Sequence, residues 1–134
     1  MEKKGLRAII AVNNLGFIGL GNGMLWHSSD DFKHFKTMTL GQKLLVGYNT
    51  LQGLPKLKDR ELIEDLRTKL IADPETIDWC IGGKKTYEKY CHLFTELHIS
   101  HINNNGIGNV TFPDLSKLNP ECKIFNYHFE ENKK

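Results

Sequence analysis

The chain has 134 residues, the length of one domain, and its 40% hydrophobic and 25% charged residues are typical of soluble globular proteins. The formal net charge of +2 is too small to indicate nucleic acid or an anionic membrane as a partner. The three cysteines lack the spacing of a disulfide framework or a zinc knuckle, and no long apolar segment predicts a signal peptide or a membrane span. We therefore expect residues 1–134 to form a single cytoplasmic domain.

The first half of the chain alternates between strand and helix patterns. Residues 7–12 form an apolar run of buried-strand length, and a loop with glycines at positions 16, 19, 21 and 23 follows it. Ser28 is a good N-cap for a helix that ends near Gly41 and carries acidic residues in its first turn. Residues 43–48 are predicted to form a second strand, followed by a short helix that begins at Asn49.

The second half of the chain continues this alternation. Four apolar residues have helical spacing and predict a helix over residues 59–71; they are Leu62, Ile63, Leu66 and Leu70. Further strands are predicted at residues 77–81, 97–102 and 123–129, with a helix over residues 84–94. Strands that alternate with helices predict an α/β sheet.

Asp31 is the acidic residue that most clearly points to chemistry. It lies four residues before Phe35, so the two share one face of the predicted helix, which Phe32 makes still more apolar. An acid at this position is commonly present only because it favours the positive end of the helix dipole. Trp26 changes this interpretation, because a carboxylate fenced by aromatic rings is poorly solvated and needs a partner, such as a cationic or amidine-like ligand edge.

Several short motifs follow one another in a fixed order. They are Ile18-Gly19, Asn22, Met24 and Trp26, then Asp31, Phe35-Lys36 and Thr39-Leu40, then Gly47 and Thr50, then Ile81-Gly82-Gly83 and Tyr87-Glu88, and finally Thr111, Pro113 and Asp114. In this order they resemble the dihydrofolate reductase family, densely over residues 8–51 and again over residues 79–114. The resemblance implies an α/β fold with a central sheet and flanking helices, trimmed of edge strands because the chain is short.

The resemblance implies an oxidoreductase of one-carbon metabolism. The expected reaction is reduction of 7,8-dihydrofolate to 5,6,7,8-tetrahydrofolate with a nicotinamide cofactor, NADPH in the first place and NADH as an alternative. The implied ligands are dihydrofolate and antifolates such as methotrexate or trimethoprim, and the implied assembly is a monomer or a weak homo-oligomer. No metal site is expected, because His98 and His101 are three residues apart on a predicted strand and so lie on opposite faces.

The resemblance also implies roles for individual residues. Asp31 matches the acid that binds the pteridine ring and promotes protonation of its N5, and Trp26 and Ser100 match residues that support this acid. The implied substrate-binding residues are Ala11, Phe32, Phe35, Leu54 and Arg60. The implied cofactor-binding residues are Ile18, Gly19, Asn22, Gly47, Thr50, Gly82, Gly83, Lys84 and Tyr87. Independently of the resemblance, the glycines at 47 and 82–83 stand between a strand and a helix, where free N–H groups can bind a phosphate.

Some positions depart from the family pattern. Tyr48 stands where the family has an arginine for the 2′-phosphate of NADPH, and Lys84 replaces a third glycine. Arg60 either matches the arginine that holds the folate glutamate or starts the helix predicted there. Two other hypotheses are a reductase-like module that binds a pterin or a partner without turnover, and a related pyrimidine or pterin reductase of the same fold. Methotrexate binding and NADPH turnover would separate the three hypotheses.

Overall fold

The computed structural model describes residues 5–19, 25–54, 57–66 and 71–132 of the chain. The strands are β1 (Leu6–Asn13), β2 (Phe17–Gly19), β3 (Lys43–Gly47), β4 (Glu61–Asp65), β5 (Trp79–Cys80), β6 (Phe94–Asn103), β7 (Val110–Thr111) and β8 (Lys123–Glu130). The helices are α1 (Ser29–Thr39), α2 (Tyr48–Gly53) and α3 (Lys84–Tyr90), with short 3-10 turns at Pro74–Thr76 and Cys91–Leu93.

Six of the strands form one sheet in the order β4-β3-β5-β1-β6-β8. Each neighbouring pair in this sheet runs parallel, so the carboxyl ends of these strands meet at one edge. The remaining two strands, β2 and β7, form a small antiparallel ribbon beside it. In open parallel sheets, ligands bind at the carboxyl edge, which is where a site is expected here.

Helices cover the two faces of the sheet and create two hydrophobic clusters. On one face, Ile9, Val46 and Ile81 pack with residues of α1 and α2, among them Phe35 and Leu54. On the other face, the alternate residues of the same strands pack against α3; the buried members include Ala8, Ile10, Leu45, Cys80, Tyr87 and Tyr90. The near-continuous apolar runs of the central strands follow from this burial on both faces.

Helix α1 is closed at both ends by polar groups. At its start, the Asp31 N–H donates to the Ser28 hydroxyl oxygen over 3.2 Å, which is the N-cap bond expected from the sequence. At its end, the Arg60 guanidinium donates to the Thr39 hydroxyl and to the backbone carbonyl of Lys36. The last carbonyls of a helix lack partners within the helix, so this cation stabilises the C-terminal turn.

The helix predicted over residues 59–71 is wrong. Asp59 has a φ of +60°, the left-handed conformation of a turn, and β4 then pairs in parallel with β3, Gly47 opposite Asp65. Asp65 is only 8% exposed and accepts hydrogen bonds of 2.9 Å from both the Lys89 ammonium and the Tyr90 hydroxyl. These partners on β3 and α3 outweigh the helical spacing of the leucines. Residues 67–70 lie outside the described residues.

The other predicted elements are confirmed, with shifted ends. The strands predicted at residues 7–12, 43–48, 97–102 and 123–129 correspond to β1, β3, β6 and β8. The strand predicted at residues 77–81 shortens to β5, and the helix predicted over residues 84–94 ends at Tyr90, before a 3-10 turn. Within the described ranges, no helix is long and apolar enough to cross a membrane.

Candidate functional site

A cavity of about 240 Å³ lies between α1, α2 and the face of the sheet formed by β1 and β6. Many residues singled out from the sequence line this one cavity: Ala11, Ile18, Gly19, Asp31, Phe32, Phe35, Thr50, Leu54, Gly83, Tyr87 and Ser100. These residues come from β1, β2, α1, α2, α3, β6 and the turn after β5. The fold therefore brings together groups that are far apart along the chain.

The carboxyl group of Asp31 is the acidic group of this cavity. It hydrogen-bonds the Ser100 hydroxyl, which β6 places beside Ala11 of β1. Burial raises the pKa of Asp31 above its ordinary value, and the Ser100 hydrogen bond offsets this only in part. A carboxyl group in an apolar cavity can accept a ligand's hydrogen bonds and take part in proton transfer.

Trp26 lies just before α1 and is 6% exposed. Its indole Nε1–H is buried and has no hydrogen-bond partner among the described residues. A buried donor of this kind is costly to leave unpaired. The indole itself does not line the cavity.

Two aromatic rings of α1 form one wall of the cavity. The rings of Phe32 and Phe35 are stacked, with centroids 6.2 Å apart and an angle of 11° between their planes. Ile9, Leu54 and Ile81 complete the apolar lining around them. Flat apolar walls of this kind suit a planar ring system, while Asp31 supplies the polar contact that fixes its orientation.

The two glycine turns predicted as phosphate sites lie side by side. The Gly47 N–H donates to the Gly82 carbonyl over 2.7 Å, and the peptide bond between Gly82 and Gly83 is cis. A Cβ on Gly47 would lie 2.6 Å from Thr86 Oγ1, and one on Gly83 would lie 2.7 Å from Thr50 Oγ1. Both turns therefore require glycine so that α2 and α3 can approach the ends of β3 and β5.

The other predicted cofactor residues occupy varied positions. Tyr87 is buried and its hydroxyl donates to the Ile9 carbonyl over 2.6 Å, while burial holds its pKa well above the ordinary value, so it stays protonated. Lys84 does not line the cavity; its ammonium donates to the Thr111 hydroxyl over 2.6 Å and so joins α3 to β7. Asn22 lies outside the described residues.

Arg60 does not line the cavity either. Its guanidinium holds the C-terminal turn of α1, at the opposite end of the helix from Asp31. The alternative that Arg60 starts a helix is wrong, because the residue directly precedes β4.

Several lining residues escaped the sequence interpretation. Asn49 and Gly53 belong to α2 together with Thr50, and Ile9 and Ile10 lie on β1 before Ala11; Ile81 is part of a quoted motif but receives no role from it. Proximity to the quoted motifs was the available signal for these residues. What the sequence could not indicate is which face of β1 and which turn of α2 the cavity uses.

The histidines of β6 behave as their spacing predicts. His98 is 4% exposed and hydrogen-bonds the Tyr127 hydroxyl and the Glu96 carboxylate, both over 2.8 Å, whereas His101 hydrogen-bonds Asn126 on the other face. Across the described ranges, no group of three or more His, Cys, Asp or Glu residues could hold a metal ion.

Comparisons with known proteins agree with this geometry. A family model described as dihydrofolate reductase matches residues 5–64. The chain is 44% identical over 126 residues to dihydrofolate reductase type 9 of Escherichia coli, covering 75% of this chain and 71% of the relative. It is 30% identical over 124 residues to dihydrofolate reductase type 6 of Proteus mirabilis, covering 78% and 79%.

A solved structure shares the fold. The dihydrofolate reductase from Enterococcus faecalis, complexed with NADP(H) and RAB-propyl, superposes with a TM-score of 0.73 at 22% identity, covering 85% of this chain and 80% of that one. The sequence relatives establish that the chain belongs to the dihydrofolate reductase family, and the shared fold agrees with this assignment.

Proposed function

We propose that this chain reduces 7,8-dihydrofolate to 5,6,7,8-tetrahydrofolate with NADPH, and that the cavity between α1 and the sheet is the active site. The observation that carries the proposal is the Asp31 carboxyl group, which is half-buried in an apolar cavity, hydrogen-bonded to Ser100 and raised in pKa. A pterin ring presents adjacent N–H donors on one planar edge, so a single carboxylate can bind it through two hydrogen bonds.

The chain's own residues explain how the substrate is held and protonated. Phe32, Phe35 and Leu54 enclose the planar ring and its aminobenzoyl group, and Ala11 leaves room beside β1. Asp31 binds the ring edge and, as the acidic group of the cavity, promotes protonation of N5. Ser100 orients the carboxyl group, and Trp26, just before α1, has a buried indole N–H without a hydrogen-bond partner among the described residues.

The residues around the glycine turns fit a nicotinamide dinucleotide. Gly47, Gly82 and Gly83 present backbone without side chains at the carboxyl edge of the sheet, where a Cβ would have no room. The polar groups near these glycines are Thr50 and Tyr87 in the cavity and Lys84 outside it. Ile18 and Gly19 of β2 also line the cavity. Asn22 is assigned to the cofactor from the family motif alone. When bound, the cofactor supplies the hydride for C6 of the pterin, and the chain's contribution is orientation and exclusion of water.

A second candidate function is pterin binding without turnover. The observation that favours it is Tyr48, 52% exposed at the start of α2, where the family pattern has the arginine for the cofactor's 2′-phosphate. Both candidates bind methotrexate or trimethoprim at Asp31, and only the enzyme oxidises NADPH when dihydrofolate is added.

The test is the loss of NADPH absorbance on addition of dihydrofolate, with Asp31→Asn and Asp30→Asn as a matched pair. Asp30 lies in the same helical turn but is exposed and outside the cavity. We expect Asp31→Asn to lose about 100- to 10,000-fold in turnover at neutral pH, with partial recovery at low pH, where N5 protonates without help. Asp30→Asn should keep the native rate. Methotrexate binding without NADPH oxidation by the native chain would favour the binding module instead.

A further inference from the structure

The C-terminal end of β8 is attached to the beginning of α1. The Ser28 hydroxyl donates to the Glu130 carbonyl over 2.8 Å, and the Asn132 N–H donates to the His27 carbonyl over 2.6 Å. The Asn132 side chain adds two more bonds: its Oδ1 accepts from the Ser29 N–H over 2.9 Å, and its Nδ2 donates to the Ser29 hydroxyl over 3.0 Å. Glu130 and Asn132 thus contact the two residues before α1 and the first residue of the helix.

These bonds supply partners that a helix lacks at its N-terminus. The first N–H groups of a helix have no carbonyl within the helix to bind, and here Asn132 takes the one from Ser29. A hydroxyl has a single hydrogen, and Ser28 gives its hydrogen to Glu130. The Ser28 oxygen is then left to accept from the Asp31 N–H, so Glu130, Ser28 and Asp31 form one chain of hydrogen bonds.

A second contact fixes the same helix one turn later. The His34 ring packs on the rings of Tyr127 and Phe129, with centroids 4.3 Å and 5.4 Å away. Strand β8 therefore holds α1 by polar bonds at its first turn and by ring contacts at its second. Asp31 lies between these two attachment points, with its carboxyl group turned to Ser100.

We propose that Asn132 is a positioning residue for the reaction, which acts through Ser29 at the start of α1 to hold Asp31 against Ser100. The proposal rests on the function proposed above, because it assigns Asp31 to the substrate. Helix ends fray when their N–H groups lack partners, and fraying of this turn displaces the carboxyl group that must meet the pterin edge. A displacement of about 1 Å at such a group is enough to lower turnover markedly.

The experiment compares Asn132→Ala with Asn126→Ala. Both asparagines are exposed, and Asn132 lies two residues after the end of β8, but Asn126 lies within β8 and contacts His101 on the face away from α1. In the ligand-free protein, we expect Asn132→Ala to speed amide hydrogen exchange in the first turn of α1 by roughly three- to tenfold. This factor corresponds to the net contribution of one hydrogen bond to the stability of the turn. Carbon NMR should find the Asp31 pKa shifted down toward its ordinary value, because a loosened turn admits water. Asn126→Ala should change neither quantity.

Kinetic and rescue measurements complete the test. Asn132→Ala should weaken methotrexate binding and raise KM for dihydrofolate by a similar factor, whereas Asn132→Asp should restore slow exchange, because its carboxylate still accepts from Ser29. Equal exchange rates and equal Asp31 pKa values in the two alanine variants would overturn the proposal. If the native chain neither binds methotrexate nor turns over, the proposed function fails, and exchange and titration still decide whether Asn132 positions Asp31.

Discussion

The hydroxyl of Ser100 on β6 hydrogen-bonds the carboxyl group of Asp31 on α1 and thereby joins the helix to the sheet inside the cavity. This pairing opposes, but does not cancel, the effect of burial on the Asp31 pKa, which remains raised. In the protein without ligand, the Ser100 hydrogen bond therefore compensates only part of the desolvation of the carboxyl group. Groups with such shifted pKa values are common in active sites, where a ligand can supply a further hydrogen-bond partner.

Asp31→Asn should make the ligand-free protein more stable at pH 7. The folded state raises the pKa of Asp31, so it binds this proton more tightly than the unfolded state does. The stability that results is complete below the ordinary pKa of 3.8 and is lost as pH rises through the folded-state pKa. Asparagine removes the charge, so Tm should rise by a few degrees at pH 7 and the gain should vanish near pH 3. Asp30→Asn is the control, and a lower Tm for Asp31→Asn at pH 7 would contradict the prediction.

His34 should make the protein lose stability in mild acid. Burial, and then the nearby His98, lower the pKa of His34 below its ordinary value of 6.5, and its Nε2 has no partner in the described part of the chain. The unfolded state therefore takes up the proton first, and stability falls as pH drops below about 6.5. His34→Phe keeps a ring against Tyr127 and Phe129 and should reduce the difference in unfolding free energy between pH 7.5 and pH 5.5. The same substitution at exposed His92 should leave that difference unchanged.

Gly47→Ala should destabilise the protein through one contact. The added Cβ would lie 2.6 Å from Thr86 Oγ1, while the next atoms are 3.5 Å away, an ordinary distance. We expect a loss of about 1–3 kcal/mol in the free energy of unfolding, measured with urea. In a Thr86→Ala background the clash disappears, so the two substitutions should be less harmful together than their sum. Strict additivity would show that Thr86 is not the obstacle.

Tyr48→Arg should raise NADPH affinity and leave NADH affinity nearly unchanged. Tyr48 is exposed at the start of α2, directly after Gly47 at the end of β3. A charge-assisted hydrogen bond is worth about 1.5–3 kcal/mol, or roughly ten- to a hundredfold in the dissociation constant. Dissociation constants for both cofactors at one ionic strength give the answer. Strong NADPH selectivity in the native chain, unaltered by the substitution, would mean that another residue binds the 2′-phosphate.

The residues of the cavity could be found from the sequence because they are held in ordered motifs. The ordered motifs contain Asp31, Phe35 and Gly83, and all three line the cavity. Arg60 illustrates the limit. A cation can bind a ligand carboxylate or a helix carbonyl equally well, and only the fold reveals its contacts with Thr39 and Lys36.

The element predicted wrongly lacks any local signal for its true structure. Leu62, Leu66 and Leu70 have helical spacing, yet β4 is a strand because β3 offers its backbone for pairing and α3 offers partners for Asp65. The attachment of residues 130–132 to α1 is equally non-local, since it joins segments about a hundred positions apart. Contacts of this kind become visible only when the chain is folded.

The most direct test of the proposed reaction follows the hydride itself. The chain is mixed with dihydrofolate and NADPH that carries deuterium at its transferable position, and the pterin product is analysed by mass spectrometry. We predict tetrahydrofolate that carries one deuterium, formed by the native chain and by Asp30→Asn but nearly absent with Asp31→Asn. A folded native chain that binds both ligands yet yields no deuterated tetrahydrofolate would contradict the account.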